Sequence, residues 1–147
     1  MKTTEGTADK TKILFVCEDN TGPSQMAQAF AEKYGMNAFS AGRHATAVLN
    51  PVVVQAMKEI GIDVSRKKPK PLSPQIISEA TLVITLACSF EDACPQPMVA
   101  QMREKTINWE WKGLKCRHLG DVRETRDEIE RRVIDLSKQN SILLEAV

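Results

Sequence analysis

Cys17 ends the apolar run Ile13-Leu14-Phe15-Val16 and opens the stretch Glu18-Asp19-Asn20-Thr21-Gly22-Pro23-Ser24-Gln25. A thiol at the carboxyl end of a buried strand, ahead of a short loop and a helix start, is placed for nucleophilic chemistry on an anion. Unpaired N–H groups at a helix start favour an anion and favour thiolate over thiol. The thiolate is the attacking form. Local geometry makes Cys17 a candidate nucleophile, while a buried structural cysteine at a strand end is the commoner case in an arbitrary protein. Glu18 and Asp19 work against the chemistry: carboxylates beside a thiol oppose its ionisation and repel an oxyanion, unless both point to solvent.

The elements that must position this loop are legible. Ile13 to Val16 suits a parallel strand covered on both faces. Met26, Phe30 and Tyr34 recur at helical spacing, with Ala27 and Ala31 alongside and Gly35 as the stop. The loop therefore falls at the carboxyl end of a strand, where open α/β sheets bind ligands. A second strand is expected around residues 38–41. Asn50 as cap, Pro51 in the first turn and Gly61 past the end frame a helix carrying Val53, Val54, Met57 and Ile60. Arg66, Lys67, Lys68 and Lys70, interleaved with Pro69 and Pro71, form a basic loop that reads as solvated surface or as a dock for an acidic partner. A helix over residues 73–80, a strand over 82–86 and a short strand over 106–109 follow. Asp121 is the expected cap of a last helix whose buried stripe is Val122, Ile129, Val133 and Leu136.

The stretch Val16 to Phe30 resembles the low-molecular-weight tyrosine phosphatase family, and within it the thiol-dependent arsenate reductases. The likeness continues through Ser40-Ala41-Gly42, Asn50 to Met57, Gly61-Ile62-Asp63, Lys68-Pro69-Lys70 and Val83-Ile84-Thr85. It also takes in Cys88 to Pro95 and Arg123 to Ile129. The resemblance implies a doubly wound α/β domain over residues 12–140, its four parallel strands in the order 2-1-3-4 with helices on both faces. Residues 1–11 read as a polar tail and residues 141–147 as a short apolar one, packed on the body or on a second copy.

Within that family the loop implies Asn20, Thr21, Gly22, Ser24 and Gln25 as oxyanion-binding residues around Cys17. Two departures stand out. The family's loop arginine, which forks onto two oxyanion oxygens, is replaced by Pro23, which has neither charge nor N–H. The family's general-acid Asp-Pro, read without gaps, falls on Gly113-Leu114. A lost oxyanion donor costs roughly 10² to 10³ in rate and a lost general acid ~10² to 10⁴. Efficient phosphate-ester hydrolysis is therefore not expected. Glu110 is the nearest substitute acid, and Arg43 and His44 are the basic groups nearest the loop in the reading of the sequence.

Four cysteines are present: Cys17, Cys88, Cys94 and Cys116. On spacing alone, Cys88 and Cys94 read as packing cysteines rather than as a redox pair, although a Cys-x5-Cys loop is flexible enough to close a disulfide. The resemblance implies catalytic roles: Cys17 attacks arsenate, Cys88 attacks Cys17, and Cys94 closes a disulfide that a thioredoxin-type reductant opens. Cys88 stands one residue later than the family's second cysteine, with Ala87 at that place. Cys116, in a basic stretch, reads as an idle thiol. His44 and His118 lack the tight spacing of structural zinc, and there is no Cys-x2-Cys knuckle. No resident metal or cofactor is expected, although clustered thiolates of Cys17, Cys88 and Cys94 would suit trivalent arsenic or antimony.

Composition narrows the classes further. The 147 residues suit one domain, and 20 basic against 19 acidic residues leave a net charge of +1. Such balance implies no general attraction to nucleic acid or membrane. No leader, membrane span or repeat is evident, which points to the cytoplasm, where thiols stay reduced. The expected function is an arsenate-reductase-like thiol protein acting on arsenate or another small oxyanion, impaired in turnover. The alternative is an inactive member serving as a redox sensor, metalloid binder or partner-binding module.

Overall fold

The computed structural model describes residues 11–17, 20–42, 48–86, 106–109 and 118–146, with side chains to residue 139 and that of Asn108 excepted. In chain order the elements are β1 (Lys12–Cys17), α1 (Pro23–Lys33), β2 (Asn37–Gly42), α2 (Pro51–Lys58), α3 (Pro74–Glu79), β3 (Leu82–Leu86), β4 (Thr106–Trp109) and α4 (Leu119–Ala146). The four strands form one parallel sheet in the order β2-β1-β3-β4. This is the order expected from the sequence.

Alternation along β1 divides the core between two faces. Ile13, Phe15 and Cys17 face the larger cluster with Met26, Phe30, Val53, Met57, Ile129 and Val133. Leu14 and Val16 face a smaller one with Ala41, Ile77, Ala80 and Val83. Every residue from Ile13 to Cys17 is buried, which explains why the strand reads as a continuous apolar run. Helices α1, α2 and α4 thus cover one face, and α3 with its single buried residue, Ile77, covers the other.

The helix boundaries follow local chemistry. Asn50 caps α2 by accepting from Val52 N–H, with Pro51 in the first turn, and Gly61 past its end takes φ +84°. Ser73 caps α3 by accepting from Ile76 N–H at 3.2 Å. Gly35, after α1, also has φ +84°, a left-handed turn that a side chain would strain. One expectation is corrected at α4. The helix starts at Leu119, with Val122 N–H already donating to His118 C=O, so Asp121 lies inside the first turn rather than capping it. Its carboxylate there still complements the positive end of the helix. The helix continues as backbone through Ala146, so residues 141–146 extend it.

Helix α4 is fastened to α2 by charge. Arg123 donates twice to Glu59, through Nε at 3.0 Å and Nη2 at 2.6 Å. Arg126, almost fully buried, donates through Nη1 to Ala56 C=O at 2.9 Å and to Glu59 at 3.0 Å. On the sheet side, the Phe15 and Trp109 rings lie 5.9 Å apart, and the Arg132 guanidinium sits 5.9 Å from the Trp109 ring. None of the helices among the described residues is long and apolar enough to cross a membrane.

Candidate functional site

Cys17 is the last residue of β1, whose successor β2 lies on one side of it and β3 on the other. The strand order reverses there, the point at which open parallel sheets leave a crevice at their carboxyl ends. Cys17 is only 3% exposed. Its Sγ lies 2.8 Å from Ser24 Oγ, a residue of the first turn of α1.

The hydrogen bonds around Ser24 have a determined direction. Asn20 Oδ1 accepts from Gln25 Nε2 at 3.0 Å and from Lys70 N–H at 2.8 Å, both of which can only donate. The Asn20 amide is thereby oriented with Nδ2 towards Ser24 Oγ, 2.8 Å away. Ser24 Oγ accepts that hydrogen, which leaves its own hydrogen available to the sulfur. A hydroxyl donating to sulfur favours the thiolate. Asn20 itself is fully buried with φ +59°, a left-handed conformation that asparagine tolerates better than most side chains.

Gln25 adds a second tie. Its Nε2 also donates to Lys68 C=O at 3.2 Å, while its buried Oε1 has no hydrogen-bond donor among the described residues. Both partners of Nε2 are acceptors, so exchanging the amide atoms would not repair this. Asn50 N–H donates to Thr21 C=O at 3.2 Å, holding the other flank of the loop. Helix α1 follows with Met26 N–H bonded to Gly22 C=O at 3.0 Å, and with Pro23 in its first turn. Deeper in α1, Gln28 accepts from Ser40 Oγ at 2.6 Å and donates to Glu32, fixing the helix against β2.

The structure brings Cys17, Asn20, Thr21, Gly22, Ser24 and Gln25 together. The side chains of Asn20 and Gln25 are spent on holding the loop, which leaves its backbone amides and the helix start to meet an anion. Cys88, Cys94 and Cys116 lie outside the described residues, as do Glu18, Asp19, Arg43, His44, Glu110 and Gly113-Leu114. Among the described residues, no three His, Cys, Asp or Glu side chains cluster as a metal site. The sequence presents the basic loop as solvated surface or a dock for an acidic partner, and Arg66 and Lys68 are exposed. What sequence reasoning missed is the loop's backbone ties to the site. Lys68 and Lys70 bond directly to Gln25 and Asn20, and Lys67 pairs with Glu32 of α1 at 3.0 Å. The two prolines among those lysines were the available signal, since they stiffen a segment that a solvated run would leave loose.

Beside the loop is an open groove of about 570 Å³. Val48, Leu49, Pro51 and Val54 form its apolar side, and Ser65, Arg66, Lys67 and Lys68 its polar one.

A buried thiol at the switch point of a parallel sheet, hydrogen-bonded to the first turn of the next helix, defines a thiol protein of the phosphate-loop kind. The model of the low molecular weight phosphotyrosine protein phosphatase family matches residues 12–141, and the chain belongs to that family. The arsenate reductase of Brevibacillus brevis is 34% identical over 128 residues, covering 85% of this chain and 92% of that one. Among solved structures, the thioredoxin-dependent arsenate reductase of Corynebacterium glutamicum superposes with a TM-score of 0.74 at 29% identity, over 94% of this chain and 66% of that one. The YwlE arginine phosphatase from Geobacillus stearothermophilus gives a TM-score of 0.76 at 25% identity, over 92% and 96%. The protein is an arsenate-reductase-like member of the family that carries the loop cysteine, Cys17.

Proposed function

We propose that the protein is a thiol-dependent oxyanion handler of the arsenate-reductase type, with Cys17 as nucleophile and Cys88 and Cys94 as its redox relay. The observation that carries this reading is the 2.8 Å contact between Cys17 Sγ and Ser24 Oγ, with Asn20 donating to the same serine. In this scheme the Cys17 thiolate attacks pentavalent arsenic and an oxygen leaves as water. The Cys88 thiolate then attacks Cys17 sulfur, forming a disulfide while the arsenic departs as arsenite with the electron pair. Cys94 displaces Cys17 from that disulfide, and a thioredoxin-type dithiol reduces the Cys88–Cys94 bond. Support for the relay comes from the sheet: Val16 pairs with Thr85, so β1 and β3 end at the same edge, and Cys88 follows Leu86 by two residues.

Pro23 sets the rate expected of this scheme. It removes the bidentate clamp on the oxyanion, a loss of roughly 10² to 10³. The same substitution favours a second reading, in which the thiols bind metalloid or sense oxidants without turnover, or the fold serves as a partner-binding module.

The test is arsenate reduction coupled to a thioredoxin system, with wild type, Cys17→Ser and Pro23→Arg compared. Slow wild-type turnover that vanishes in Cys17→Ser and rises in Pro23→Arg is the expected result. Turnover only in Pro23→Arg would favour the sensing or binding reading. No turnover from any of the three would overturn the relay.

A further inference from the structure

Lys70 is fastened to the Cys17 loop and to the sheet by its own backbone. Its N–H donates to Asn20 at 2.8 Å, and its C=O accepts from Gly42 N–H at 2.8 Å. Its neighbour Pro71 makes a parallel bridge to Gly42, and Leu72 N–H returns to Gly42 C=O at 2.9 Å. Gly42 is the register partner of Cys17. Two lateral steps of roughly 4.8 Å thus separate the Lys70 backbone from Cys17, about 10 Å in all.

The Lys70 side chain is half-buried, with Nζ 3.4 Å from Lys68 C=O, the carbonyl that also accepts from Gln25. It makes no ion pair with a carboxylate among the described residues, and Glu32 is taken by Lys67. Cations withdrawn from water normally find a carboxylate. Burial holds the Lys70 pKa below the ordinary lysine value, with the Lys67 ammonium adding to this and Glu32 opposing it. The loop beside it lacks a cation of its own: Pro23 replaces an arginine, and Glu18 and Asp19 bring negative charge next to the thiol.

We propose that the Lys70 ammonium supplies the positive charge of the Cys17 loop, acting across the sheet edge as a positioning residue that favours the thiolate. The inference rests on the reading of Cys17 as a working thiolate. Glu18, Asp19 and Glu32 are the charges that oppose it, and Lys67, paired with Glu32, contributes little. The ammonium is carried by a backbone about 10 Å from Cys17. A unit charge at a separation of that order, in a dielectric between the interior and water, moves a thiol's ionisation by roughly half to one pH unit.

The experiment is the pH profile of Cys17 alkylation by iodoacetamide, read on the Cys17 peptide by mass spectrometry in the full-length protein. Wild type is compared with Lys70→Met, Lys70→Gln and Lys70→Arg, each checked for a cooperative thermal melt. Both neutral variants are expected to raise the midpoint by roughly half to one unit and to slow alkylation at pH 7 by about three- to tenfold. Lys70→Arg is expected to stay near wild type. A depressed wild-type midpoint that neither neutral variant moves would overturn the inference and leave the thiolate reading intact. A wild-type midpoint at the ordinary thiol value of about 8.5 would overturn both. If Lys70→Met does not fold, Lys70→Gln, which keeps a donor for the Lys68 carbonyl, decides the matter.

Discussion

The backbone N–H of Lys70 donates to the side chain of Asn20 at 2.8 Å, across fifty residues of chain. This remote donor, with Gln25, leaves the Asn20 amide one orientation, with Nδ2 donating to the Ser24 hydroxyl that contacts Cys17. The chemistry of the loop is therefore conditioned by a segment that no local sequence window contains.

Replacing Asn20 by alanine should be costly. The change strips an acceptor from two donors, Lys70 N–H and Gln25 Nε2, and puts a β-carbon with no compensating bond into a left-handed turn. Each unsatisfied buried donor costs about 1–3 kcal/mol. Urea denaturation of Asn20→Ala is expected to show a loss of about 3 kcal/mol relative to wild type.

Ser24→Ala removes the hydroxyl that faces Cys17 but leaves the helix start otherwise unchanged. A hydrogen bond to a charged group contributes about 1.5–3 kcal/mol, so alkylation of Cys17 at pH 7 should slow by roughly tenfold or more. Stopped-flow or quenched alkylation reads this directly. Unchanged rates would mean that the serine does not donate to sulfur.

Much of this arrangement was legible in the sequence because it is local. The strand before Cys17, the helix after it, the Asn50-Pro51 start and the Gly61 stop are written in short-range patterns of apolarity, capping and backbone freedom. Strand order came from the family likeness rather than from periodicity. The two missed features are contacts rather than elements. Asp121 has the chemistry of a cap, yet His118 C=O already accepts from Val122 N–H and moves the start upstream. The basic loop looked solvated because four cations in five residues suit water. Its backbone carbonyls and amides, which carry no sequence signature, are what bind it to Asn20, Gln25 and Gly42.

Ile77 is the single buried residue of α3, in a cluster with Leu14, Val16 and Val83. Ile77→Ala should cost about 2–4 kcal/mol. Because α3 is only six residues long and its other apolar anchor, Ile76, is only partly buried, the loss should show first as faster hydrogen exchange in residues 73–80. A uniform rise in exchange across all helices would argue that α3 is not separately anchored.

Glu59 gives a pH signature. Its carboxyl is held below the ordinary 4.5, chiefly by the Arg123 hydrogen bond and further by Arg126. A depressed carboxyl contributes stability that is fully present above its unfolded value and is lost as pH falls through the folded one. The melting-temperature gap between wild type and Glu59→Gln should therefore be constant from pH 6 to 8 and close as pH falls below about 4.5. A gap that persisted at pH 3 would point to packing rather than charge.

The bridge between Gly42 and Pro71 makes the sheet, at this one end, a strand wider than its four named members. The Lys70 amide is enclosed by that bridge and by Asn20, so it exchanges with solvent only when the cradle itself opens. Losing the segment around Lys70 would then also remove a hydrogen bond that orients Asn20 in the Cys17 loop. A modest local melt would loosen the Cys17 loop while the rest of the sheet stayed folded.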